Sequence, residues 1–201
     1  MSAEVINLKC GGCGSPVSTG QKVCEYCGGP ITISTFNSVS SMPLPKLNKY
    51  VRNYEEVLRE HPDNSDVNRS IAFVYLKLKN YEKAREYFER AMEDDFDDAE
   101  NYFYAAVTIL KGKKAFMTSR DDINKAEEYI QAAISIEPRG IFYYFWAYIR
   151  YDHHARKFYK VTPSYTELVE EAFNEGVSDS DIEELFEILG QSRPEQLPLN
   201  G

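Results

Sequence analysis

The sequence predicts an all-α protein of successive antiparallel helical hairpins, preceded by a small β module. Three observations carry this. Apolar and small residues recur at helical spacing in two consecutive blocks, 65–98 and 99–138, the first with a period of about 34 residues. Turn signals at Asn80-Tyr81, Phe96-Asp97-Asp98 and Glu137-Pro138 punctuate those blocks. The chain's only four cysteines fall within its first 27 residues, as Cys10-Gly-Gly-Cys13 and Cys24-Glu-Tyr-Cys27.

The cysteines come first in the chain. Two residues separate the thiols of each pair, so each pair can aim two sulfurs at one tetrahedral ion. Each pair is followed by a glycine, Gly14 or Gly28, which permits a tight turn with backbone N–H groups directed at sulfur. Disulfides would need an oxidising compartment, but Met1-Ser2-Ala3-Glu4 shows no apolar secretory segment, and a cytoplasmic location is the expectation. Iron in a rubredoxin-like site and a redox C-x-x-C pair are weaker readings, because the knuckles lie close together and neither opens a helix beside a parallel strand. The pattern resembles a short four-cysteine zinc ribbon. It predicts one structural Zn2+ on Cys10, Cys13, Cys24 and Cys27, closed to water and so not catalytic. A module this small cannot fold on buried apolar area alone, so metal binding and folding should be one event. The ribbon is predicted over 1–33, with Ile31-Thr-Ile33 as its last strand, and 34–45 is predicted to be a linker.

A helical domain is predicted over 46–190. In the first block Ile71, Ala72 and Tyr75 fall on one helix, and Ala84, Phe88 and Ala91 on the next. In the second block Tyr102, Ala105, Ala106 and Ile109 are followed by Ala126, Ile130 and Ala133. Small residues let antiparallel helices approach closely while the aromatics fill the remaining gaps. These residues resemble the tetratricopeptide repeat, with departures. Asn68 stands where the family has tryptophan, Phe96 replaces the closing proline, and about eight extra residues lie near Gly112–Asp122. Leu47–His61 reads as the second helix of an earlier repeat, and Ile141–Tyr151 with Tyr165–Asn174 as a further pair. Ser178-Asp-Ser-Asp181 caps a last helix, Ile182–Leu189, closed by Gly190, which should cover the end of the stack. Residues 191–201 read as a frayed tail.

The resemblance implies a superhelix whose concave face is lined by the first helix of each pair. The family's groove positions correspond to Arg69, Phe73, Leu76 and Lys77, then Phe103, Val107, Leu110 and Lys111, then Phe142, Phe145 and Ile149. That lining is unusually apolar for a water-filled groove. Either a partner protein or peptide docks there, or the chain fills it itself with its last helix or its linker. Four positions of the chaperone-tail clamp hold Phe73, Tyr104, Phe142 and Trp146, which argues against a chaperone-tail receptor. The aromatic run Ile141–Tyr148 reads as core.

Composition narrows the function. The chain has 201 residues and a net charge of −9, which argues against nucleic acid as the main ligand. The charge is uneven: 111–125 and 139–160 are basic, and 164–190 is acidic without Lys or Arg. The basic stretch either neutralises the acidic helices within one fold or meets an acidic partner, and with the ribbon it forms the nucleic-acid alternative. No apolar run is long enough to span a membrane. Neither a glycine-rich phosphate loop nor a Gly-x-Ser-x-Gly elbow is present, and neighbours in Asp152-His153-His154 would diverge on a helix. The expectation is a non-catalytic adaptor for protein–protein recognition, with the ribbon as a second contact surface.

Overall fold

The computed structural model describes residues 5–199. The chain is mostly helical, with a two-stranded antiparallel sheet at its start. It forms two compact units that meet in sequence at Asp97 and Asp98. This division falls between the two repeat copies. It does not separate the ribbon from the helices, because the ribbon packs on the helix that follows it.

The first unit contains β1 (Asn7–Lys9) and β2 (Pro16–Ser18), paired in the register Asn7↔Ser18, Leu8↔Val17 and Lys9↔Pro16. The second cysteine knuckle is closed by a single bridge, Val23↔Pro30. Ile31-Thr-Ile33 is therefore not a strand. Ile31 and Ile33 are buried, and the Ile33 N–H donates to Ser70 Oγ at 2.7 Å. The segment predicted to be a linker is docked as well: it contains a short helix, α1 (Asn37–Ser40), with Phe36 and Val39 in the core. Then come α2 (Leu44–Glu60), α3 (Ser65–Lys77) and α4 (Tyr81–Asp94). Asn64 and Asn80 cap α3 and α4 by accepting the N–H groups of Val67 and Lys83, which starts each helix at the predicted turn. The α3–α4 hairpin is closed by Phe73 against Phe88, edge to face at 5.2 Å.

The second unit contains α5 (Ala99–Ile109), α6 (Arg120–Ile136), α7 (Gly140–Ile149), α8 (Tyr165–Asn174) and α9 (Asp179–Leu189). Helices α5 and α6 form one hairpin, and α7 and α8 another. The extra residues between α5 and α6 hold a 3₁₀ turn, Ala115–Met117. Helix α7 does not run on to Tyr151. It passes into a π turn at Arg150–His154 and a 3₁₀ turn at Ala155–Lys157, which Phe158 ends in left-handed backbone at φ 62°. Ser178 and Asp181 form a reciprocal capping box at the start of α9. The stretch after α9 is packed rather than frayed. Leu197 is buried, the Tyr144 hydroxyl donates to the carbonyls of Leu197 and Pro198, and Gln191 Nε2 donates to Gly112 O at 2.7 Å. The carbonyls of Leu197 and Pro198 find a partner in Tyr144 on α7, which supplies order that the tail's composition does not announce. Residues 200–201 of the predicted tail, like 1–4 of the predicted ribbon, lie outside the described residues.

Candidate functional site

The two knuckles repeat one backbone pattern. The N–H groups of Cys10 and Cys24 donate to Ser15 O and Gly29 O, and those of Gly14 and Gly28 donate back to Cys10 O and Cys24 O. Gly14 and Gly28 have φ of 85° and 67°, which a side chain would oppose. The knuckles bring all four sulfurs within 4.8 Å of one another. Cys10 Sγ lies 3.6 Å from Cys27 Sγ, and Cys13 Sγ lies 3.7 Å from Cys24 Sγ. A tetrahedral ion with metal–sulfur bonds of about 2.3 Å requires sulfur edges of about 3.8 Å, so this donor set fits such an ion. The Gly12 N–H points at Cys10 Sγ at 3.3 Å, as expected around a thiolate. Cys10 and Cys24 are buried, while Cys13 and Cys27 face outward. Hydrogen bonding to Ser15 lowers the Cys13 thiol to about 6, which favours its ligand form.

Sequence reasoning missed what holds this centre. One face of α2 carries Lys49, Tyr50, Asn53 and Tyr54, and each donates to a backbone carbonyl of the cysteine module or its exit. Lys49 Nζ reaches Gly12 O at 2.8 Å, and Asn53 Nδ2 reaches Cys10 O at 3.1 Å. Tyr50 and Tyr54 donate to Pro30 O and Ile31 O at 2.9 and 2.8 Å. Both rings are fully buried, and burial raises both hydroxyls well above their usual range. Tyr50 also sits against Gly11, where an added Cβ would come within 2.0 Å of its ring. The available signal was the i, i+1, i+4, i+5 spacing of these residues, which marks a single helix face.

The predicted groove residues are located differently from the expectation. Phe73, Leu76, Phe103, Val107, Leu110, Phe142, Phe145 and Ile149 are all buried. Of the predicted set, Arg69, Lys77 and Lys111 reach solvent. The self-filling alternative describes both units. In the first, Ile33 and Phe36 lie against α3, with Lys77 Nζ 5.6 Å from the Phe36 ring centre. In the second, α9 lies on α7, with Phe186 edge to face against Tyr148 at 5.3 Å. Behind it, Phe103 meets Phe142 at 4.7 Å and Phe145 at 5.8 Å. A cleft of about 140 Å³ remains where α9 meets α5 and α7, with Arg139, Tyr104, Glu184 and Ile188 in its walls. A partner could reach the apolar positions only if the covering segments moved aside.

The histidine stretch also differs. Asp152, His153 and His154 are buried, and the π turn brings His154 Nε2 to 3.2 Å from Glu127 Oε1. Arg150 Nε lies 3.0 Å from that same oxygen, and the Trp146 indole N–H donates to it at 3.3 Å. Burial lowers His154 to about 4, so it is neutral near pH 7. This cluster is a structural brace between α6 and the end of α7.

Residues 51–108 match the family model described as tetratricopeptide repeat. A solved structure titled "Crystal structure of MamA" superposes with a TM-score of 0.56 at 16% identity, covering 80% of this chain and 87% of that one. The fold is tetratricopeptide-like. No curated protein sequence matches the chain significantly. Among the described residues no helix is long and apolar enough to cross a membrane.

Proposed function

We propose that this protein is a non-catalytic adaptor that recognises a partner protein through its helical hairpins, with one structural Zn2+ on Cys10, Cys13, Cys24 and Cys27. The cysteine centre supports a structural role: four thiolates complete a tetrahedron, so no position remains for a substrate. The observation that carries the recognition reading is the seat of α9. This acidic helix buries Leu185, Phe186 and Leu189, with Phe186 against Tyr148 and with Leu185 and Ile188 beside Phe103 and Phe142, positions at which the repeat family lines its groove. The partner supplies an amphipathic, acidic helix that takes the place of α9. Arg139, above the Phe142 ring and paired with Glu100 and Glu137, lines the cleft beside Asp181 and Glu184 of α9, and an acidic ligand helix would meet it in the same way.

Affinity capture from the native host tests this, comparing wild type with Phe186→Asp/Leu189→Asp, which releases α9, and with Cys24→Ser/Cys27→Ser. A partner enriched by the α9 variant and lost when Arg139→Glu is added supports the reading. A partner set indifferent to α9 but abolished by the cysteine changes moves the interface to the ribbon. Partners removed by nuclease replace the adaptor with a nucleic-acid-associated factor.

A further inference from the structure

The loop between α5 and α6 and the turn after α7 both expose large apolar side chains. Phe158 is 93% exposed, Met117 71% and Tyr159 57%. Phe158 also occupies left-handed backbone, a costly conformation for a bulky residue, in a turn that directs its ring into water. The two segments form one built surface. Buried Asp152 accepts the Phe116 N–H at 2.8 Å on one carboxylate oxygen and pairs with Arg156 on the other. Arg156 and Lys157 both stand over the Phe116 ring, at 4.7 and 5.0 Å from its centre. The charge on these segments is mainly positive, with Asp152 meeting Arg156 and Asp121 and Asp122 following Arg120. Residues 111–120 include Lys113, Lys114 and Arg120 and no acid, and 153–160 end in Lys160 with no acid.

We propose that this surface docks the protein on an anionic membrane, Phe158 and Met117 entering the acyl boundary while the surrounding lysines and arginines meet lipid phosphates. Exposed aromatic and thioether side chains ringed by cations have the composition that holds a peripheral protein at an interface: apolar insertion and charge attraction act together, and neither suffices alone. Nucleic acid would share the phosphates and could stack on Phe158 or Tyr159, but it would leave exposed Met117 without a role, whereas an acyl boundary takes up the thioether as well.

The test is sedimentation of the zinc-loaded full chain with vesicles of phosphatidylcholine alone and with one quarter phosphatidylserine. Binding is expected only to the anionic vesicles and should weaken as salt rises from 50 to 300 mM. Lys114→Glu/Lys157→Glu should weaken it at least about tenfold. Met117→Ser/Phe158→Ser, at exposed positions that leave the fold intact by circular dichroism, should weaken it by about as much. No binding to anionic vesicles overturns the proposal. So does a loss confined to the charge variant, or tighter binding to a single-stranded oligonucleotide than to vesicles, which would assign the surface to nucleic acid.

Discussion

In the first unit, the covering segment buries Ile31, Ile33, Phe36 and Val39 and is also tied to the helices by a set of hydrogen bonds. Lys49, Tyr50, Asn53 and Tyr54 each capture a carbonyl, and Ser70 takes the Ile33 N–H. In the second unit, the covering helix is held mostly by rings, with Phe186 on Tyr148 and the Phe103, Phe142 and Phe145 cluster behind. The contrast follows from what each cover can offer. The cysteine module has only two short strands, and the carbonyls of Cys10, Gly12, Pro30 and Ile31 are taken up one by one by side chains of α2. Helix α9 satisfies its own backbone and contributes an apolar stripe, so packing alone seats it.

The largest effect that would sharpen this contrast comes from metal removal. Chelation, or Cys24→Ser/Cys27→Ser, should cost the first unit on the order of 10 kcal/mol of coupled binding and folding, and leave the second unit's transition in place. Calorimetry alongside metal analysis checks it. A chain that holds no zinc when purified, or one transition lost as a whole, would break the comparison.

Overpacking comes next. Gly140→Ala places a Cβ 2.4 Å from Ala172 O and 2.5 Å from Val177 N, backbone atoms that cannot yield, and should destabilise the second unit by about 3 kcal/mol. Gly11→Ala, against the buried Tyr50 ring, should act to a similar degree on the first unit alone. Urea unfolding followed by tryptophan fluorescence isolates the second unit, because Trp146 is the chain's single tryptophan.

Tyr54→Phe leaves Ile31 O buried without its 2.8 Å partner and should cost about 1–3 kcal/mol. An unchanged midpoint would mean that packing, rather than hydrogen bonding, secures the first unit.

The effect of pH through His154 is milder and falls on the second unit. His154 is held down to about 4 by burial, then by Arg150, against 6.5 in the unfolded chain. On acidification the unfolded state binds that proton first, so stability falls between about pH 6.5 and 4. Glu127, raised by burial, acts in the opposite sense, since the folded state protonates first. His154→Asn should flatten the decline in Tm across this window, and a slope unaltered by the change would exonerate the histidine. Smallest of all, Lys9→Ala removes an exposed 3.5 Å pair with Glu56 and should shift stability by no more than about 0.5 kcal/mol.

The helices were legible because their signals are local. Asn64, Asn80 and Ser178 start helices where expected, and alternating small and large residues at Ala72, Ala84, Ala106 and Ala126 declare the hairpin faces. The cysteine spacing likewise declared four convergent thiols. The carbonyl-binding face of α2 was not legible. Nothing in the spacing of Tyr50 and Tyr54 says what their hydroxyls reach until the ribbon's backbone is placed beside them. Nor were the π turn and the meeting of Glu127 with Arg150 and His154, which depends on how α6 packs against the end of α7 rather than on local spacing.

By itself, then, the sequence determined the helical class, the hairpin order and the convergence of four cysteines, all of which depend on neighbours within a few turns of chain. Only the tertiary structure decided what covers the apolar faces. An apolar stripe states that it must be buried, but the hydrophobic effect has no direction and does not say by what. Here α9 and the segment around Ile33 and Phe36 do the covering, and they turn residues that looked like a binding groove into the core of their own units.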